Sequence, residues 1–204
     1  MPFANRADFL AAIARDLGDP DGNTWTSDDL SRALDHALDD LADAAGVATS
    51  VDVPASGSDT YDLSEYPEIR QLAAVEWPVD EQPPAYLRFH VWGATLRLLD
   101  AAPPTGETLR LHYRRAFAVD DESSDVPDEL AELAVLGARA YAMLQQAART
   151  AATVNVDGWV SRRYELQGER LLARFREALS ELRQARDAPP FPPGQTPAWY
   201  DEND

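Results

Sequence analysis

The chain has no cysteine and no lysine in 204 residues. Absence of cysteine excludes a disulfide framework and a thiolate metal site. Absence of lysine leaves arginine as the only strong base: 18 Arg face 36 carboxylates, 23 Asp and 13 Glu, for a formal net charge of -18. A shell so rich in short carboxylates repels itself in dilute buffer and is screened by salt, which fits a salt-adapted protein. Codon bias in a GC-rich genome would also write Arg, Ala and Asp. No stretch approaches 18 apolar residues, and MPFANRADF lacks the basic and apolar regions of a signal peptide. These absences predict a soluble, unexported chain with no membrane partner.

Catalytic patterns are missing too. The sequence has no Gly-rich phosphate loop, no nucleophile elbow and no His-Glu helix motif. Its histidines are His36, His90 and His112. His36 falls on the polar side of a helix. His90 and His112 could face each other across a hairpin, but a metal would still lack further ligands. Gly18-Asp-Pro-Asp-Gly22-Asn resembles a calcium loop without its closing Glu and reads as a helix-linking turn. The expectation is a chain with no catalytic, cofactor or metal residues. Nucleic acid is a poor direct partner as well, because the first 60 residues hold 12 Asp against 3 Arg. Carboxylate repulsion would suit a lumen through which DNA slides without sticking.

What is present is a succession of helices, strands and helices. Asn5 and Asp8 stand at capping-box spacing before the apolar line Phe9, Leu10, Ile13 and Leu17, with Gly18 as the stop. A second helix starts at Thr26 with Asp29 at its third position, and Trp25 can staple onto Leu30. Its polar side carries Asp35, Asp39 and Asp43 four residues apart and reads as a solvated face. Residues 47–72 read as a linker or excursion with weak strand content around 47–53. Over 73–119 the pattern turns to a period of two. Leu87, Phe89 and Val91 alternate with Arg88, His90 and Trp92, and Leu109, Leu111 and Tyr113 alternate with Arg110, His112 and Arg114. Pro103, Pro104 and Gly106 supply the reversal of an antiparallel pair.

Asp125-Val-Pro-Asp-Glu offers an acidic cap and a proline before a helix whose Leu133, Val135, Leu136, Gly137, Ala140, Tyr141 and Leu144 surround most of its circumference. Another helix or a neighbouring subunit must cover the excess, so Leu136, Gly137, Ala140, Tyr141 and Leu144 are candidate inter-helix or subunit contacts. A last helix runs from about 160 to 186. The expected organisation is a helical pair over 1–46, the excursion over 47–72, the β region, two long helices over 125–186, and a tail over 187–204. This is an α+β fold: a mostly helical bundle with an inserted small antiparallel β-sheet or hairpin and a Pro-rich extended C-terminal tail. The arginine doublets Arg114-Arg115 and Arg162-Arg163 are candidate salt-bridge contacts to carboxylates of neighbouring subunits. In the tail, five prolines hold the chain extended, so Phe191, Trp199 and Tyr200 can serve as spaced interface anchors.

The order of these features resembles the head-tail adaptor family of tailed phages and archaeal tailed viruses, also called head-completion or connector proteins. The residues that carry the resemblance are the short first helix, the Thr26-Ser-Asp-Asp helix start and the strand Leu109-Arg-Leu-His-Tyr113. They continue with the acidic link Asp120-Asp-Glu-Ser-Ser-Asp-Val-Pro-Asp-Glu-Leu130 and the helix Leu133-Ala-Val-Leu-Gly-Ala-Arg-Ala-Tyr141. They cover roughly 3–186. The resemblance implies a structural virion protein: a homo-oligomeric ring, usually twelvefold, that joins the portal to neck and tail proteins and lines part of the DNA channel. It also implies assembly in the host cytoplasm and residence in the virion neck, and the salt-adapted composition would fit a haloarchaeal virus. A tail-completion or terminator ring protein, a non-viral soluble interaction module and, least of all, an enzyme are the other readings open at this level.

Overall fold

The computed structural model describes residues 3–152 and 158–187. Two helices open the chain, α1 (Arg6–Asp16) and α2 (Ser27–Ala45), and two close it, α3 (Asp128–Ala151) and α4 (Gly158–Asp187). Between α2 and α3 lie β1 (Val47–Pro54), β2 (Thr60–Asp62), β3 (Gln71–Glu76), β4 (Tyr86–Leu87), β5 (Phe89–Trp92), β6 (Thr95–Leu98) and β7 (Thr108–Arg115). A helical body thus carries an inserted β unit, the α+β arrangement expected from the sequence.

Both early helices start as their residues dictate. The Asn5 side chain accepts from the Asp8 amide, and Thr26 and Asp29 form a reciprocal capping box at the head of α2. Gly18 takes φ +74 at the end of α1, a conformation that favours glycine. The turn that follows is organised by Asp19. Its buried carboxylate accepts the amides of Asn23, Thr24 and Trp25 at 2.9, 2.7 and 2.9 Å. The Trp25 amide, with those of Thr24 and Asn23, holds the Asp19 pKa below its usual range against the opposing effect of burial. Asp19→Ala is expected to make these three amides exchange about an order of magnitude faster with solvent hydrogen. Unchanged exchange in that variant would show that the turn holds without its carboxylate.

Two apolar cores exist. The helical core gathers Phe9, Ile13, Trp25, Leu34, Leu41, Val135 and Phe175, and the second core packs Val53, Val75, Leu96, Leu98, Leu109 and Leu111 between the sheets. One sheet has the order β1-β7-β3-β4 and the other β2-β6-β5, with every pairing antiparallel. Chain continuity and close approach join the cores. A Cβ on Gly46, between α2 and β1, would lie 2.7 Å from the carbonyl oxygens of Ala42 and Arg115, so only glycine lets β7 pass so near the end of α2. Past β7, Phe117 and Val126 enter the helical core.

Several local expectations are corrected here. The weak strand content expected around 47–53 is there as a full strand, β1, paired along its whole length with β7 from Val47↔Arg115 to Pro54↔Thr108, so this part of 47–72 is sheet and not linker. Its polar residues weaken the strand signal, but Ser50 and Asp52 lie on the outward positions of an alternating strand, with Thr49 in the half-buried phase of Val47, Val51 and Val53. The strands on either side of Pro103 and Pro104 do not pair with each other. Gly93 and Ala94 form the true hairpin, β5 to β6, with Gly93 at φ +59, while β7 belongs to the other sheet. His90 and His112 therefore sit in different sheets: His90 pairs with Arg97, and His112 faces Ala74 and bonds Glu76 at 2.8 Å. Asp125 does not cap α3. Pro127 is the N-cap, with no side-chain cap bond, and the Asp125 carboxylate instead accepts the Ala118 amide at 2.7 Å and pairs with Arg115 at 2.6 Å.

The aspartates of α2 are partly engaged by arginines from elsewhere in the chain. Arg6 pairs with Asp35, and Arg70 reaches both Asp39 and Asp43. Each such exposed pair contributes only about 0.2 to 1 kcal/mol, yet together they relieve the like-charge spacing along this helix.

Candidate functional site

The long helix α3 is covered inside the chain by α1, α2 and α4. Gly137 lies under the Phe175 ring of α4, where an added Cβ would be 2.7 Å from Phe175 Cζ. One heptad along, the roles reverse: a Cβ on Gly168 of α4 would be 2.8 Å from Leu144 Cγ of α3. Ala140 is fully buried, Leu136 is partly buried against the helical core, and the Tyr141 hydroxyl donates to the Asp40 carboxylate of α2. Desolvation, followed by the Asp40 bond and charge, pushes the Tyr141 pKa up to about 12. The five α3 candidates are thus placed against helices of their own chain.

The arginine doublets divide. Arg114 donates to the Gly46 carbonyl at 3.0 Å, and Arg115 pairs with Asp125 and donates to the Ala116 carbonyl at 2.9 Å. Both act at the junction of sheet and helices. Arg162 pairs with Glu165 one turn along α4 at 2.8 Å, and Arg163 lines a hollow of about 280 Å³ with Trp25, Asp19 and Trp159. These two lie on the exposed side of α4. Phe191, Trp199 and Tyr200 lie outside the described residues.

The surface that stands out was not among the sequence candidates. Trp92, at the tip of the β5–β6 hairpin, is 80 % exposed, and Tyr86, Val91 and Leu99 are exposed in the same β unit. Alternation explains it: Phe89 and Val91 share a face with the core residues Leu96 and Leu98, so Trp92 and His90 point the other way with Arg97. The signal was legible, since Trp92 falls in the polar phase of its strand. A second apolar pair, Trp159 and Leu166, is exposed near the start of α4. The end of α4 meets the sheets, where Arg186 Nη1 donates to the Gln71 side chain at 3.3 Å. With its 30 residues, α4 separates its two ends by about 45 Å. Trp159 therefore lies far from the point where α4 touches the β unit.

The polar clusters of the β unit are ion pairs and hydrogen bonds that tie its strands together. Arg110 binds Asp52 at 2.7 Å and Asp80 at 2.6 Å, and buried Glu76 holds His112. The His112 bond, followed by the Asp80 amide, keeps the Glu76 pKa below its usual range against the opposing effect of burial. All these contacts are cross-strand or loop-fixing pairs on the outward face of the four-stranded sheet. Among the described residues, no group of three or more His, Asp or Glu converges as a metal site requires, and no helix is long and apolar enough to cross a membrane.

The geometry is that of a helical body with an inserted β unit tipped by an exposed tryptophan. The family model described as SU10 adaptor protein matches residues 4–196. The chain belongs to the SU10 adaptor protein family. A search of curated proteins gives no match. Membership in the SU10 adaptor family makes this a structural adaptor of the tailed-phage kind. It implies residence in the virion neck, oligomerisation, and contacts with portal and tail proteins.

Proposed function

We propose that this SU10 adaptor is the subunit of a twelvefold homo-oligomeric ring that joins the portal to the neck and tail, with DNA passing through its lumen. The observation that carries this reading is the pair of exposed tryptophans, Trp92 on the β5–β6 hairpin and Trp159 with Leu166 near the start of α4. Two different exposed sites on one subunit suit a head-to-tail contact, the kind that closes into a ring. Exposed aromatics are the anchors that dominate such interfaces. Arg162 and Arg163, beside Trp159, supply charge for carboxylates of the neighbouring subunit. The net charge of -18 serves the channel, because a carboxylate-rich wall does not hold the phosphate backbone. The same charge makes assembly salt-dependent, as befits a haloarchaeal virus. Trp199 and Tyr200 act as anchors toward the portal or the adjacent ring.

Trp92→Ala is expected to weaken each subunit contact by about 2 kcal/mol, roughly thirtyfold. Sedimentation in molar salt would then show the ring lost or displaced to higher concentration, with the monomer fold intact by circular dichroism. Unchanged assembly of Trp92→Ala would remove the β unit from the contact. A wild-type chain that stays at its monomer mass of 22.5 kDa, even when co-expressed with the portal protein of the same virus, would overturn the ring.

A further inference from the structure

A groove of about 550 Å³ opens between β5 and the segment 63–72, lined by Tyr66, Ile69, Leu72, Phe89 and Val91. β5 is an edge strand of its sheet, so among the described residues no further strand of that sheet covers this side. Helix α4 ends beside it. Arg186 donates to the Asp43 carbonyl at 3.2 Å and to the Gln71 side chain at 3.3 Å. Arg70 and Gln71 line both the hollow around Arg186 and the apolar groove itself. The chain then continues for 17 residues past Asp187, beginning Ala188-Pro-Pro-Phe-Pro-Pro193.

We infer that Pro189-Pro-Phe-Pro-Pro193 docks in this groove of its own chain, with the Phe191 ring between Tyr66, Ile69 and Phe89. Phe191 is five residues beyond Arg186, a span of at most about 17 Å, and the groove starts at Gln71, which Arg186 already touches. Proline pairs on both sides favour the polyproline II conformation, which loses little entropy on binding and packs its rings against aromatic-lined grooves. The groove supplies Tyr66 and Phe89 as that aromatic lining and Ile69, Leu72 and Val91 as its floor. A tail with one aromatic docked at Phe191 leaves Trp199 and Tyr200, eight and nine residues further on, to reach a partner. Phe191 thereby becomes an internal anchor that fixes where the rest of the segment departs. This inference does not depend on the ring reading and survives or fails separately from it.

The sequence provides its own reporter, because Ile13 and Ile69 are its only isoleucines. Ile13 is fully buried in the helical core and Ile69 lines the groove. In the full chain labelled on isoleucine methyls, the Ile69 resonance is expected to show a nuclear Overhauser contact to the Phe191 ring. It should shift in Phe191→Ala and in a chain ending at Asp187, while Ile13 stays in place. An Ile69 resonance identical in all three proteins would overturn the inference, and so would a shift of Ile13 together with Ile69. Co-assembly of labelled Phe191→Ala with unlabelled wild type distinguishes the source of the segment. Recovery of the wild-type Ile69 position in that mixture would mean that a second copy fills the groove, which overturns docking within one chain; no recovery supports it.

Discussion

Phe175→Ala is expected to lower stability by about 3 to 5 kcal/mol in chemical denaturation, the range for losing a buried aromatic. Phe175 is fully buried and stands against Gly137, so its ring occupies a place where α3 and α4 approach closely. Collapse cannot refill that space, because Gly137 has no side chain to move into it. The reciprocal change tests the same contact from the other helix. In Gly137→Ala the new Cβ would sit 2.7 Å from Cζ and 2.9 Å from both Cε atoms. Overpacking of about 1 to 3 kcal/mol then outweighs the roughly 1 kcal/mol of helix propensity that alanine gains over glycine. Combining Gly137→Ala with Phe175→Leu should recover part of the loss, since a shorter side chain admits the methyl group. Strict additivity of the two single changes would show that the ring and the glycine are not coupled.

That contact marks the boundary of what the sequence could reveal. Gly137 and the surrounding alanines announced close helix packing, but the excess apolar surface of α3 could not be assigned to a partner from periodicity. The cover is α4, and the signal in α4 is Gly168, a residue that in isolation only weakens a helix. Its sense appears when Leu144 is found against it. Short-range chemistry was readable throughout: Thr26 with Asp29, Asn5 with Asp8, and Gly18 as a stop all depend on residues a few positions apart. Asp125 failed as a cap for the opposite reason. Its carboxylate is taken by Ala118 and Arg115, which reach it through the tertiary fold.

The strands show the same division. Alternation placed Leu109 and Leu111 inward, where they are buried in the second core with Phe89 packed against it, whereas Val91, in the same phase as Phe89 near the end of its strand, is exposed. Pairing is non-local, and a proline-rich connection looked like a stronger turn than Gly93-Ala94, so two strands of different sheets were joined into one hairpin. The most exposed aromatic of the β unit, Trp92, followed directly from its phase, yet an exposed tryptophan acquires meaning only once Tyr86 and Leu99 are found exposed in the same unit. For the arginines, the sequence could supply the doublets but not their neighbours. Arg114 and Arg115 close the junction between helices and sheet, which leaves Arg162 and Arg163 as the doublet on an open surface.

Acid should unfold this protein through Asp29. The carboxylate is buried, completes the capping box with Thr26, and forms a two-pronged pair with Arg149, one bond of 2.8 Å joining Nη1 to Oδ2. It thus ties the start of α2 to the last turn of α3, with its negative charge at a helix start and the arginine at a helix end, the favourable sense for both dipoles. The Arg149 bond, ahead of the opposing desolvation and the Thr26 bonds, holds the Asp29 pKa well below its ordinary value of 3.8. A depressed folded-state pKa means that the stabilisation is fully present above the ordinary value and is lost as pH falls from there through the folded one. Asp29→Asn retains an acceptor for the Thr26 amide but loses the charge, whereas Asp29→Ala loses both and should cost about 1 to 3 kcal/mol at neutral pH. Denaturation of wild type and Asp29→Asn at a series of pH values should give a gap that is constant at neutral pH and closes as pH drops below about 4. A gap that stayed open in strong acid would show that Asp29 stabilises the fold by packing and geometry, with its charge contributing nothing.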